Sequence, residues 1–123
     1  MLQLGASIMF FVLGLVLFQF PPKKPNLFYG YKTPRACKNQ QNWDFSQKYS
    51  GIKLAQGGGV LIFISILLMV LDIDHTPVGG LGYSGCLLVS VIYPIYATEK
   101  ALKHFEKLNE ERKKLSLFLQ LLF

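Results

Sequence analysis

Long stretches of this 123-residue sequence carry no charge at all. Met1 to Phe20, Leu54 to Leu71 and Gly79 to Thr98 contain no Asp, Glu, Lys or Arg. Charged residues make up 16% of the chain, against about 25% in a typical soluble domain. Acidic residues are scarcer than basic ones, 7 against 13, so the net charge is +6. Disorder is excluded, because a disordered chain needs low hydrophobicity and this one is 51% apolar. A soluble nucleic-acid module is excluded too, since its basic surface would not alternate with charge-free runs. Only two cysteines occur, Cys37 and Cys86, with no partner spacing for zinc or for a disulfide framework. No phosphate-binding glycine loop, no nucleophile–base set and no paired carboxylates appear, so the sequence offers no catalytic centre and no cofactor site.

What is present is a set of three oily runs. A bilayer-crossing helix needs about 20 mostly apolar residues. The runs at 1–20, 54–73 and 79–98 each meet that length, with Asp72 at the edge of the second. A soluble bundle would need polar helix faces, and these runs have almost none. The first run lacks a basic leading segment, and no small-residue cleavage site precedes Pro21-Pro22. It therefore reads as a retained helix rather than a signal peptide. The expected fold is an all-α membrane protein with three transmembrane helices. A basic loop at 21–53 follows the first, a short turn at 74–78 joins the others, and a charged helical extension with an apolar tail occupies 99–123.

Charge orients these spans. Seven basic residues lie in 21–53, against the single acidic Asp44, and the other six lie in 99–114. The connection from Asp72 to Val78 has none. The positive-inside rule then predicts a cytoplasmic loop and C-terminus, with the N-terminus and the 74–78 turn outside. The spans hold no ionisable side chain at depth, unlike the spans of proton pumps and ion-coupled transporters. Gly51, Ala55 and Gly59 recur at four-residue spacing and predict a smooth stripe for helix packing, with Gly57 and Gly58 beside it. Pro94 removes a backbone donor inside the third span and predicts a kink. Asp72, Asp74 and His75 form the one metal-like cluster; a turn without metal is the commoner use of such residues, and no metal site is assigned.

The most specific stretch runs Asn26-Leu27-Phe28-Tyr29-Gly30-Tyr31-Lys32-Thr33-Pro34-Arg35. Gly30 permits a tight turn at positive φ. Pro34 holds Thr33 out of the α region. Asn39 is a good N-cap type, and the helix it starts carries Trp43, Phe45, Tyr49 and Ile52 into the second span. That aromatic, basic segment predicts an interfacial helix, with Trp43 near the membrane surface and anionic lipid around it. In the C-terminal extension, Glu99 and Lys103 form a favourable four-residue pair. The tail from Leu115 to Phe123 is about 13 Å long as helix, too short to span, and predicts a segment that lies in the interface or docks on a protein.

Asn26, then Gly30-Tyr31-Lys32-Thr33-Pro34, then Trp43 and Gly51, resembles the signature of the SdpI family of small bacterial membrane proteins. The likeness extends over about residues 5–100. It departs at Lys32, where the family usually has Arg, whose planar fork binds phosphate or carboxylate bidentately. The family's namesake is a longer immunity protein with further spans, which protects its host from a secreted toxin and holds a repressor at the membrane. The resemblance implies a multi-pass protein of the bacterial inner membrane. The residues expected to meet lipid or a partner are Asn26, Gly30, Tyr31, Lys32, Thr33, Pro34, Arg35 and Trp43. The same residues also suit a purely structural role, folding the loop back onto the helices. Expected partners are membrane lipids and other integral membrane proteins, with no nucleic acid. An accessory subunit of a membrane complex is the first expectation. A toxin-immunity protein that recruits a cytoplasmic regulator is the second.

Overall fold

The computed structural model describes residues 2–26 and 28–123. Met1, at the start of the expected first span, and Leu27, within the motif, lie outside the described residues. Three helices follow in order: α1 (Leu2–Gln19), α2 (Gln40–Val70) and α3 (Pro77–Leu122). All three are long and apolar enough to cross a membrane, and no strand occurs among the described residues. At 1.5 Å per residue, α1 is about 27 Å long, α2 about 46 Å and α3 about 69 Å. Only α1 matches the bilayer core; α2 and α3 each extend well past it.

The helix ends are set by local chemistry. Asn39 caps α2, accepting from the Asn42 backbone N–H at 2.7 Å. At the other end of α2, Asp72 adopts φ 58°. Ile73 N–H then reaches Leu68 O and Asp72 N–H reaches Met69 O, the paired bonds of a Schellman motif. Thr76 caps α3, accepting from Gly79 N–H at 3.1 Å, with Pro77 at the first helical position. The turn is therefore tightly specified despite its polar composition. Helix α3 continues through Pro94, which is buried.

α2 is the central helix and packs on both α1 and α3. Its seam toward α1 runs through Gly51, Ala55 and Gly58. Gly51 lies against the α1 backbone, where a methyl group would sit 2.7 Å from Phe18 N. Ala55 faces Gly14, and Gly58 faces the Phe11 backbone. The expected stripe named Gly59 as its third member. A methyl at Gly59 would meet only Phe11 Cδ2 at 4.0 Å, so Gly59 sits at the edge of the seam and Gly58 takes its place. The reason is helical pitch: positions four and then three apart stay on one line at 3.6 residues per turn, whereas two steps of four drift off it. Gly57 faces the other neighbour, with Ser90 of α3 3.4 Å from the position a methyl would take. Successive glycines thus let α1 and α3 both approach α2 at one level.

At the turn end, a buried hydroxyl cluster ties all three helices. Ser7 Oγ lies 2.9 Å from Ser65 Oγ and 2.8 Å from Tyr83 Oη, and Tyr83 donates to Gln3 O at 2.8 Å. In an apolar surrounding each such group needs a partner, and here each has one.

The segment 40–53 is the first part of α2 and has no break from the span that follows. Its polar residues Asn42, Ser46, Gln47 and Ser50 are buried along with Trp43. Trp43 does not face lipid: it is covered within the chain and only 1% exposed. The returning loop covers it, and its indole N–H donates to Pro22 O at 2.7 Å. A buried indole needs such an acceptor, and the loop supplies it.

Candidate functional site

The loop at 21–39 folds back over the basic end of the bundle, and its motif residues hold it there. Asn26 makes an Asx-type turn: its Oδ1 accepts from Phe28 and Tyr29 N–H at 3.0 and 2.9 Å. Tyr29 is carried back to α1, where its hydroxyl donates to Phe20 O at 2.7 Å and lies 3.2 Å from Val16 O. It thereby serves the Phe20 carbonyl just past α1 and sits beside Val16 O, which already accepts from Phe20 N–H. Gly30 has φ 114°, where a side chain would be strained and would also crowd Gln47 Oε1 and Pro22 Cγ.

Tyr31 is held twice. Its backbone N–H donates to Gln47 Oε1, and its carbonyl accepts from Gln47 Nε2, both at 2.7 Å. Its hydroxyl donates to Glu99 Oε1 at 2.7 Å. Burial raises the Tyr31 phenol above its ordinary value, and the hydrogen bond to Glu99 adds to the shift. Burial also raises Tyr29. Thr33 donates to the same Glu99 oxygen at 2.5 Å and accepts from Ala36 N–H, opening the turn at 34–37 that contains Pro34.

A second acidic residue, one heptad along α3, does parallel work. Glu106 Oε1 accepts from Asn42 Nδ2 at 2.6 Å, and Arg35 Nε lies 3.9 Å from Glu106 Oε2. Asn42 also donates to Arg35 O at 3.1 Å. Phe45 of α2 stacks on Phe105 of α3 with centroids 4.5 Å apart. Lys53 lies over the rings of Tyr49 and Tyr93, at 5.5 and 6.0 Å.

Tyr31, Arg35 and Trp43 therefore do not converge on one pocket. They address Glu99, Glu106 and Pro22 in turn. The expected Glu99–Lys103 pair is corrected as well, since the Glu99 carboxylate turns to the loop hydroxyls instead. Lys32 is exposed and makes no ion pair among the described residues. Sequence reasoning missed Gln47, Asn42, Glu99, Glu106 and Tyr29 as members of this arrangement.

Between α1 and α3, at the level of this loop, lies an open apolar groove of about 310 Å³. Phe10, Leu13 and Leu17 form one wall, Val91 and Ile95 the other, and Leu54 of α2 the floor. Tyr29, Gly30 and Tyr31 close its basic end. At the opposite end of the molecule, ligand atoms of Asp72, Asp74 and His75 lie within 4.8 Å of one another in the exposed turn.

The sequence pattern of the SdpI/YfhL protein family matches residues 23–97, more than half the chain. The chain belongs to the SdpI/YfhL family. It is also similar to the uncharacterized protein YfhL of Bacillus subtilis (strain 168), at 33% identity over 64 residues. That match covers 52% of this chain and 57% of the relative, so the chain spans a little over half of the relative's length. No solved structure matches. The three apolar helices and the family together make this a multi-pass membrane protein. The family match contains the loop motif and Gln47 but stops before Glu99 and Glu106, the acidic residues on which that motif rests.

Proposed function

We propose that this chain is a non-catalytic accessory subunit of a larger complex in the bacterial inner membrane, and that it meets its partner through the far half of α3. One observation carries this reading. From Glu110 to Phe123 every residue is exposed, although the stretch contains Leu115, Leu117, Phe118, Leu119, Leu121, Leu122 and Phe123. A contiguous apolar surface of this kind marks an interaction site. The loop motif does not compete for the role, since its hydroxyls, amide and guanidinium are used within the chain and only Lys32 is left over. The placing of the basic loop and of α3's far half in the cytoplasm follows from the one-sided charge.

A second reading is toxin immunity with recruitment of a cytoplasmic regulator. The same helix supports it: Arg112, Lys113 and Lys114 are exposed beside the apolar run, a surface suited to an acidic soluble protein.

Native purification in mild detergent separates the two. The full chain is compared with a form ending at Lys114. An accessory subunit co-purifies with a stoichiometric membrane partner that the shortened form loses. A soluble regulator in that partner's place favours the second reading, and a monodisperse lone monomer counts against the first. A reporter fused after Phe123 should read cytoplasmic; a periplasmic signal overturns the proposed topology.

A further inference from the structure

We propose that the groove between α1 and α3 is a phospholipid site, taking one acyl chain of an anionic lipid whose headgroup rests at Lys32. The walls come from helices that meet at the turn end through Tyr83 and Ser7 and stand apart toward the basic end. The opening is apolar, and the polar groups along it are already satisfied: Tyr31 by Glu99 and Ser50 by Gln47 O. None of the buried polar atoms that lack a partner lines it. The groove therefore asks for an occupant with no hydrogen-bonding groups of its own at depth.

The groove is open and lined almost wholly by apolar side chains, which suits one flexible acyl chain. Charge selects the headgroup. Tyr31 closes the groove, and the next residue, Lys32, is exposed and unpaired among the described residues. Pro22 touches the same turn at Gly30, and the exposed Lys23 and Lys24 follow it. The Glu99 carboxylate is occupied by the hydroxyls of Tyr31 and Thr33. A basic lip above an apolar slot is complementary to an anionic phospholipid. Lys in place of the fork-shaped Arg suits this use, because a headgroup phosphate at a mobile interface needs a point charge rather than a fixed bidentate partner.

Native mass spectrometry of the full chain tests the site after equilibration in nanodiscs of equal phosphatidylglycerol and phosphatidylcholine. The expected result is one retained lipid per chain, with phosphatidylglycerol favoured about fivefold. Lys32→Gln should bring the preference close to parity without losing the lipid. Leu13→Trp and Val91→Trp fill the groove from opposite walls, at positions that are 48% and 41% exposed and so tolerate a larger side chain. Either should lower retention about tenfold while circular dichroism shows unchanged helix content. No retained lipid, equal retention of the two lipids by the wild type, or retention untouched by both wall variants overturns the proposal. So does a second copy of the chain found in place of the lipid.

Discussion

Gln47 grips the backbone of Tyr31 by both ends of its side-chain amide, from sixteen residues away. This replaces, for one residue, the pairing a strand neighbour would give. It fixes where the Tyr31 hydroxyl goes, and hence the contact with Glu99 on a third element. Gln47→Leu keeps the volume and removes both bonds. The Tyr31 N–H and carbonyl then lose their partners in a part-buried site, at about 1–3 kcal/mol for each group left unpaired. Thermal unfolding in detergent should show the loss. Equal stability of the wild type and Gln47→Leu would show that the loop is held elsewhere.

The seam between α1 and α2 gives a sharper contrast. Gly58→Ala pushes a methyl into the Phe11 backbone, which cannot move without shifting α1. Overpacking of this kind costs about 1–3 kcal/mol. Gly59→Ala meets nothing closer than 4.0 Å and gains helix propensity, so it should be neutral or stabilising by up to about 1 kcal/mol. Melting the two variants side by side checks the register of the whole helix pair. A reversed order would mean that the seam runs through Gly59.

Much of the fold was legible because it is written in local signals. Charge-free runs give the helices, and Asn39 announces the start of α2. The loop was legible as a special stretch but not as an arrangement. Glu99 lies 66 residues from Thr33 and 68 from Tyr31, and no periodicity links positions so far apart. In the sequence its nearest opposite charge four residues away is Lys103, and the local pair hid the distant one. Asn42 and Gln47 sit on a helix where amides ordinarily face solvent, and only the folded loop makes them interior. The burial of Trp43 was hidden for the same reason: an aromatic residue beside lysines suits a lipid-facing position until a chain segment covers it.

The Tyr31 phenol gives the site a pH signature. Its folded value is raised, first by burial and then by the carboxylate of Glu99, so the folded state holds this proton more tightly than the unfolded chain does. The stabilisation is fully present below the ordinary tyrosine value of about 10 and is lost as pH climbs through the higher folded value. Ultraviolet titration of the phenols should show a late step above the ordinary tyrosine value of about 10. Tyr31→Phe should remove that late step and flatten the loss of stability above about pH 10. A wild-type curve without a late phenol would show that water reaches Tyr31 freely.

At the turn end, Tyr83 plays a part that the basic end divides among many residues. Its hydroxyl joins α3 to Ser7 and Gln3 of α1, while α2 reaches the cluster through Ser65. Three hydroxyl protons serve these contacts and the carbonyls of Gln3 and Leu61, so each proton matters. Tyr83→Phe leaves the ring packed and takes away one donor. Polar contacts between helices in membranes average about 0.6 kcal/mol, with higher values near 1.7. A cluster with no alternative partner belongs at the upper end, so a loss of about 1.5 kcal/mol is expected. Ser7→Ala should cost a similar amount, and the double variant should cost less than the sum of the two, because each removes the same contact. Unfolding of the four proteins in one detergent closes the cycle. Strict additivity would separate Tyr83 from Ser7 and leave α1 and α3 joined at the turn end only through the Gln3 carbonyl.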